Sequence, residues 1–166
     1  MKIVIKNAKV VDAKSSFHGK IVDIQIENDR IVKVAENIDS GDAQVLDGDD
    51  LHVSAGWVDL KSETCDPGLE HKQTIEQLLD AAAFGGYTHI AVLPGTTPVV
   101  DGKSQIQYMQ RRAEYHACNL HPIGALTVGM KGENLSEMYD MHQSGVQLFT
   151  DDLIPVHAGI MYRGLL

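Results

Sequence analysis

The sequence predicts an α/β fold, and three observations lead to it. Residues 2–11 and 21–35 alternate apolar and polar side chains, which is the two-residue period of strands. From residue 56 onward, short apolar runs alternate with stretches whose apolar residues recur at helical spacing. About four such strand-loop-helix units follow one another, an order typical of a parallel sheet. We therefore expect a small β module at residues 1–54 and a β/α region at residues 55–166.

The amino-terminal module is predicted to be antiparallel. Residues 2–11 and 21–35 both alternate in polarity, and the second run is interrupted at Asn28 and Asp29. These two residue types tolerate the positive φ of a tight hairpin. A further turn and a short strand complete the module before residue 55. A module of this size buries little apolar surface by itself.

The first β/α unit is expected to begin with a strand at residues 56–61. Apolar residues then recur at helical spacing from Thr74 to Ala83, and Gly85 and Gly86 should end that helix. Residues 88–93 form a nearly continuous apolar run, which is typical of a buried parallel strand.

The later units follow from weaker patterns. Residues 104–117 are expected to form a helix and residues 122–127 the third strand. A short helix should begin at residue 134 and close at Gly145. The fourth strand is predicted at residues 146–149.

Four units cannot close the usual parallel barrel, which needs eight strands and about 250 residues. The pattern is therefore interpreted as the first half of a barrel within a longer protein. Residues 155–166 begin in helical style and lack a stop signal, which favours this interpretation. The alternative is an open four-stranded sheet with covering helices that stands alone as a binding domain.

Composition and charge exclude several functions. No apolar run approaches the roughly 18–20 residues of a membrane span. The formal net charge of −9 opposes binding to the phosphate backbone of nucleic acids. The alternating residues 2–6 do not resemble a signal peptide, so a cytoplasmic location is expected. Cys65 and Cys118 are then expected to be free thiols.

Six motifs occur in a fixed order along the chain. They lie at residues 3–12, 55–60, 66–72, 81–88, 93–101 and 149–152. Each motif is weak alone, but their order and spacing resemble the amino-terminal part of the dihydroorotase branch of the amidohydrolase superfamily. That group of cyclic amidohydrolases also includes allantoinases and dihydropyrimidinases.

The resemblance implies both a fold and a chemistry. The fold would be an N-terminal β-sandwich module, completed by strands from the carboxyl end, followed by the first half of a TIM-type barrel. Zinc at the barrel mouth is the family cofactor. The family reaction hydrolyses a cyclic amide and interconverts dihydroorotate and carbamoyl aspartate in pyrimidine biosynthesis.

The family's two zinc-binding histidines correspond here to Lys61 and Glu63. Residues two apart on a strand point to the same side, about 6.5–7 Å apart, so these side chains should share a face with Asp59. An ammonium group has only hydrogen-bond donors, and its charge repels Zn²⁺. We therefore expect no bound cofactor, and we assign no catalytic residue.

Positions that hold the substrate in the family differ as well. Cys65 replaces an arginine that grips the substrate carboxylate in a two-pronged contact. Gly95 and Thr97 replace the asparagines of a second loop that contacts the same carboxylate. Either Asp151 or Asp152 matches the family's metal-binding aspartate, and these two are the weak candidates for a metal ligand.

Two interpretations of Lys61 stay open. Its ammonium could occupy the space of a zinc ion and pair with Glu63 and with Asp151 or Asp152 in a buried cluster. Alternatively, Lys61 points to water in an open mouth. Elsewhere, the metal-like spacing of three residues is expected to reflect packing or surface positions instead: His116, Cys118 and His121.

The leading hypothesis is a dihydroorotase-like protein that has lost zinc binding and activity and acts as a structural partner. Inactive dihydroorotase homologues assemble with aspartate transcarbamoylase, so the resemblance implies that enzyme, or a second copy of this chain, as the partner. The first alternative is an active metal-dependent cyclic amidohydrolase with altered ligands or substrate. The second is a stand-alone open-sheet binding domain. Neither nucleic acid nor a membrane is an expected partner.

Overall fold

The computed structural model describes residues 1–165 of the chain. It divides into two compact units, one spanning Met1–Ala55 and the other beginning at Gly56. The first unit consists of strands and the second mixes strands with helices, so the predicted α/β class is confirmed. Within residues 1–165, no helix is both long and apolar enough to cross a bilayer.

The first unit is a mixed sheet built around one long strand. Its strands are β1 (Lys2–Val11), β2 (Ile21–Glu27), β3 (Arg30–Ala35), β4 (Gln44–Leu46) and β5 (His52–Ser54). The first three form an antiparallel ribbon, as predicted. However, β4 and β5 run parallel to β1, so the prediction of a purely antiparallel module was wrong. The ten residues of β1 provide room for β4 beside its first half and β5 beside its second half.

A hairpin turn and a buried carboxylate organise this unit. Asn28 and Asp29 adopt positive φ values of 47° and 64°, which confirms the predicted turn between β2 and β3. Asp23 is 1% exposed and accepts hydrogen bonds from Lys6 and from the backbone N–H of Asn7 and Ile38. Burial opposes the charge of Asp23, but these bonds outweigh it and lower the pKa of its carboxyl group.

The second unit is built on a parallel sheet in the order β6-β7-β8. Its elements are β6 (Trp57–Ser62), α1 (Ile75–Phe84), β7 (Tyr87–Val92), α2 (Lys103–Arg112), β8 (Asn119–Pro122), a 3-10 turn (Val128–Met130), α3 (Met138–Gln143) and α4 (Ala158–Gly164). β6 is an edge strand, and its apolar residues Trp57, Val58 and Leu60 are 63%, 57% and 69% exposed.

Helix α1 forms where its spacing and caps predict it. Thr74 caps the amino end by accepting a hydrogen bond from the backbone N–H of Gln77, whose side chain in turn accepts from the N–H of Thr74. Gly85 follows the last helical residue, as expected from the sequence. The buried residues of α1, Ile75 and Leu79, pack in the core of this unit.

The core of the second unit lies between the sheet and its helices. Two side chains from each of β7 and α2 are almost completely buried with those of α1: Ile90, Val92, Ile106 and Met109. The near-continuous apolar run predicted as a buried parallel strand is therefore confirmed as β7, which pairs on both sides. This core fixes the strand ends that carry the candidate site.

Helix α2 and strand β8 depart from the predicted boundaries. The helix expected to reach residue 117 ends at Arg112, and Tyr115 beyond it adopts a φ of 64°, which cannot continue a right-handed helix. The strand expected at residues 122–127 lies at Asn119–Pro122. Backbone groups after Pro122 bond to scattered partners, including the N–H of Ala125 to the carbonyl of Val100 at 2.7 Å, and these bonds do not form a ladder.

The last two predicted elements are also shorter than expected. The helix predicted to begin at residue 134 begins at Met138, because backbone bonds such as that from Ser136 N–H to Leu126 hold the preceding residues as a loop. The predicted fourth strand is reduced to an isolated parallel bridge between Gly124 and Phe149. The expectation of a complete fourth strand was therefore wrong. The helix expected in residues 155–166 is observed as α4, and Leu166 lies outside the described residues.

Candidate functional site

The candidate site lies at the carboxyl ends of the parallel strands. Lys61 is near the end of β6, and its Nζ lies 2.9 Å from Oδ1 of Asp152, in the loop after the Gly124–Phe149 bridge. Lys61 is 62% exposed at its side chain, whereas Asp152 is 22% exposed. The ion pair therefore connects β6 with this loop, but it is open to water. The geometry falls between the buried cluster and the solvated lysine considered above.

Asp151 points away from this pair. Its side chain is only 3% exposed, and Oδ1 accepts a hydrogen bond of 2.9 Å from the backbone N–H of Thr127. Its Oδ2 accepts from the Thr127 hydroxyl, which itself accepts from the N–H of Gly132. Both carboxylate oxygens of Asp151 are therefore occupied within the fold. Of the two aspartates, Asp152 is the one that lines the mouth.

Two small cavities meet at Asp152. The first, of about 170 Å³, is lined by Glu63, Leu93 and Gly95 together with Asp152. The second, of about 370 Å³, is lined by Lys61, Asp152 and mainly apolar side chains. The structure thus brings together four of the predicted site residues: Lys61, Glu63, Gly95 and Asp152.

Asp59 does not share the mouth with Lys61 and Glu63 as the strand period predicted. One oxygen of Asp59 accepts from the backbone N–H of Lys61 at 2.9 Å, and the other accepts from the hydroxyl of Ser62 at 2.7 Å. These two bonds lower the pKa of the Asp59 carboxyl group. Asp59 instead lines a different cavity, of about 320 Å³, along the sheet. Glu63 lies beyond the end of β6, where the alternation of a strand no longer applies.

Cys65 lies in the first loop, which follows β6, and Thr97 lies in the second loop, which follows β7. Neither residue lines the two cavities that meet at Asp152. Cys65 is a half-buried free thiol. Thr97 lies against the first loop, because its backbone N–H donates to the carbonyl of Pro67 at 3.1 Å. Gly68 contacts Thr97 so closely that an added Cβ would lie 2.2 Å from the Thr97 carbonyl oxygen. The two loops therefore form one packed layer.

A buried carboxylate anchors the first loop beneath the mouth. Asp66 is 0% exposed, and its Oδ1 accepts a 2.7 Å hydrogen bond from the hydroxyl of Tyr108 on α2. Its Oδ2 accepts from the backbone N–H of Ile75 at the start of α1, and Arg112 lies 3.8 Å away. The bond to Asp66 and burial raise the pKa of Tyr108 to about 12. The sequence showed Asp66 as part of a motif but offered no local signal for its partners.

A pair of histidines was also missed by the sequence interpretation. Nδ1 of His89 on β7 lies 2.9 Å from Nε2 of His121 on β8, and the two rings are stacked. His116 and Cys118, which share a metal-like spacing with His121 in the sequence, have other surroundings. His116 bonds to Asp80 at 2.9 Å, and burial raises the pKa of the Cys118 thiol. Among residues 1–165, no three His, Cys, Asp or Glu side chains are grouped so that they could hold a metal ion.

Residues 52–165 match the protein family described as dihydro-orotase-like. The chain is 41% identical over 167 residues to a dihydroorotase of Syntrophotalea carbinolica, an alignment that covers 99% of this chain and 39% of the relative. It is 39% identical to a dihydroorotase of Pelotomaculum thermopropionicum, with the same two coverages. The chain thus spans about two-fifths of the length of the curated relatives it matches.

Solved structures agree at the level of the fold. A D-hydantoinase superimposes with a TM-score of 0.71 and 21% identity, covering 99% of this chain and 37% of that structure. A dihydropyrimidinase from Brevibacillus agri gives a TM-score of 0.66 with 18% identity, covering 99% and 37%. The six motifs, the arrangement of strand ends and the family match all lead to one assignment. The chain belongs to the dihydroorotase-like family.

Proposed function

We propose that this dihydroorotase-like protein holds no zinc at the strand ends, does not hydrolyse dihydroorotate and acts as a structural partner. The observation that carries the proposal is the ion pair between Lys61 Nζ and Asp152 Oδ1, 2.9 Å apart. In the family, a zinc-binding imidazole stands at the position of Lys61. Here an ammonium group takes its place and engages the nearest aspartate.

The chemistry of the donor set supports this proposal. Zinc in proteins is held by thiolate, imidazole and carboxylate groups, usually three or more together. Lys61 offers no lone pair unless it loses its proton, and its charge repels a divalent cation. Glu63 and Asp152 line one cavity, but Asp152 is already paired with Lys61. The residues present therefore do not suit a zinc ion, and no reaction step is assigned to one.

The substrate-facing positions support the same proposal. The resemblance requires an arginine and an asparagine to hold the substrate carboxylate, whereas this chain has Cys65, Gly95 and Thr97. Hydrogen bonds to charged groups contribute about 1.5–3 kcal/mol each, so the loss of two weakens binding by a few orders of magnitude. An anionic cyclic amide would therefore bind poorly.

We also propose the finer architecture that the resemblance implies. Residues 1–54 would be the β-sandwich module of the family, and residues 55–166 would supply the first half of its barrel. The three parallel strands, the bridge after β8 and the helices between them support this assignment. A cytoplasmic location stays a prediction of the sequence.

The proposed partner is aspartate transcarbamoylase, with self-association as the alternative. A silent family member retains a role in pyrimidine biosynthesis if it stabilises that enzyme. Co-purification of the complete protein with aspartate transcarbamoylase tests this role. Two separate gel-filtration peaks for an equimolar mixture would contradict it, and a peak that contains two copies of the chain alone would favour self-association.

The central test concerns zinc and turnover. We expect the complete protein, prepared without chelators, to contain well under one zinc per chain and to leave dihydroorotate unchanged when Zn²⁺ is added. Combining Lys61→His, Glu63→His and Cys65→Arg should raise zinc affinity about tenfold or more, because imidazoles replace an ammonium and a lone carboxylate.

A matched control separates the site from the mere addition of histidines. Lys72 and Glu114 are exposed, so the double variant Lys72→His and Glu114→His should leave zinc affinity unchanged. Stoichiometric zinc bound beside Lys61 and Glu63 in the unaltered protein would overturn the proposal. Turnover of dihydroorotate by the unaltered protein would overturn it as well.

One observation favours a second function, that of an active amidohydrolase with altered ligands. Glu63 and Asp152 line the same cavity, and carboxylates are good ligands for divalent cations. Under this alternative, a cyclic amide other than dihydroorotate would be hydrolysed with added Mn²⁺ or Zn²⁺. Glu63→Gln would then abolish the activity, while the silent-partner proposal expects no activity to lose.

A further inference from the structure

We propose that His89 and His121 form a proton-sharing pair that makes one face of the β6-β7-β8 sheet sensitive to acid. Nδ1 of His89 and Nε2 of His121 lie 2.9 Å apart. The ring centroids are 5.2 Å apart, and the ring planes differ by 26°. The pair connects neighbouring parallel strands, in which Ala91 lies opposite His121 and His89 opposite Asn119. It lies on a different cavity from Lys61 and Asp152.

The distance limits how many protons the pair can hold. A nitrogen separation of 2.9 Å is a normal hydrogen bond, which needs one N–H donor and one lone-pair acceptor. A neutral imidazole has one of each, whereas a protonated ring has two donors and no acceptor. The pair can therefore carry one extra proton and keep its bond, with the charged ring as the donor. A second proton leaves two donors facing each other and two positive charges in contact.

Water partly screens that repulsion, because His121 is exposed and His89 is half-buried. The pair lines the 320 Å³ cavity between residues of β6 and the segment that follows α3. The charged group that β6 contributes to this cavity is Asp59, whose carboxylate stays negative while it accepts hydrogen bonds from Lys61 N–H and Ser62. The segment after α3 contributes the uncharged residues Gly145, Gln147 and Leu148. Burial, and then the neighbouring His89, lower the pKa of His121.

The direction of the pH effect follows from linkage. The pKa of His121 in the folded chain lies below the ordinary value of 6.5, so the unfolded chain binds this proton first as pH falls. The contribution of neutral His121 to the stability of the fold is therefore fully present above about pH 6.5 and decreases as the pH falls below that value. The decrease continues until the folded pair takes up its second proton. At that point the bond between β7 and β8 side chains is lost.

The direct test is nuclear magnetic resonance of the complete protein with ¹⁵N-labelled histidine. We expect a through-bond coupling between the two ring nitrogens at about pH 7.5, which disappears on acidification as the second proton enters. The titration midpoint of His121 should lie below 6.5 and rise in His89→Gln, because the neighbouring imidazole is then removed. Absence of the coupling, together with an unchanged His121 midpoint in His89→Gln, would overturn the proposal.

Unfolding by urea provides a second readout. Between about pH 7.5 and pH 5.0, the urea midpoint of His121→Leu should fall by less than that of the unaltered protein, because Leu has no proton to bind. His71→Gln, which removes an exposed histidine of the same unit, should behave as the unaltered protein does. Equal acid sensitivity in all three proteins would contradict the proposal. If His121→Leu does not fold, the coupling measurement on the unaltered protein still decides the matter.

Discussion

At the residue scale, the buried carboxylate of Asp66 holds the first site loop to both neighbouring helices. It bonds to Tyr108 of α2 and to the first residue of α1, so a single side chain connects the loop with two elements. A buried carboxylate is stabilised only when such partners satisfy it. Loss of one partner therefore affects the loop more than loss of an exposed contact would.

We predict that Tyr108→Phe destabilises the protein by about 1 kcal/mol, near the lower end for a bond to a charged group because the Tyr108 side chain is 38% exposed. The change in urea midpoint at about pH 7.5 measures this effect. Tyr115→Phe is the control, since Tyr115 is 97% exposed and should have no effect. Equal stability of both variants would show that the Asp66 bond contributes nothing measurable.

The same bond predicts a pH dependence. Because the pKa of Tyr108 is raised to about 12 from an ordinary value of 10, its contribution to stability is fully present below about pH 10 and is lost as pH rises through about 12. An ultraviolet titration should therefore show one tyrosine that ionises near pH 12. That late step should be missing in Tyr108→Phe. A step that persists in this variant would assign it to another tyrosine.

Residue types at the site followed from the sequence, but their pairing did not. The motif order showed that Lys61 stands where an imidazole is expected, and left the choice between Asp151 and Asp152 open. In the structure Asp152 pairs with Lys61, whereas Thr127, 24 residues before Asp151, occupies both oxygens of Asp151. The pairing of His89 with His121 was missed because only the register of β7 on β8 brings the two side chains together.

At the element scale, the two site loops depend on close packing between their backbones. Gly68 has a φ of 107°, and its α-carbon faces the carbonyl of Thr97. This conformation is available to glycine at little cost, but it strains residues that carry a Cβ. The position of the loop after β7 therefore depends on Gly68 in the loop after β6.

We predict that Gly68→Ala destabilises the second unit by about 2 kcal/mol or more, because backbone strain adds to a contact of 2.2 Å with the Thr97 oxygen. Gly95→Ala is the control. An added Cβ at Gly95 meets nothing within 4 Å, so its effect should stay within about 0.5 kcal/mol. Urea unfolding of the two variants checks the difference, and similar midpoints would contradict the packing argument.

The elements that the sequence predicted well are those whose local signals and packing agree. Helix α1 has its capping pair at Thr74 and Gln77, and β7 has an uninterrupted apolar run. The fourth strand failed because residues 146–149 have the apolar content of a strand but share only one bridge, at Phe149. Apolar content shows that a segment is suited to a sheet, whereas a ladder also needs a neighbouring strand in register.

At the scale of the whole molecule, the proposed absence of zinc predicts indifference to chelators. A bound metal stabilises a folded protein by an amount that grows with the logarithm of the free metal concentration relative to Kd, and its removal lowers the melting temperature. We expect about 1 mM EDTA to shift the thermal midpoint of the complete protein by less than about 1 °C. Calorimetry measures the shift. A decrease of several degrees would indicate a structural metal and contradict the proposed function.

The open edge of β6 has a consequence for how this chain behaves in concentrated solution. Unpaired peptide groups beside protruding Trp57, Val58 and Leu60 form a template on which a strand from another molecule can grow. We therefore expect crowded samples of the isolated 166-residue chain to form intermolecular sheets from this edge, which light scattering at rising concentration would detect.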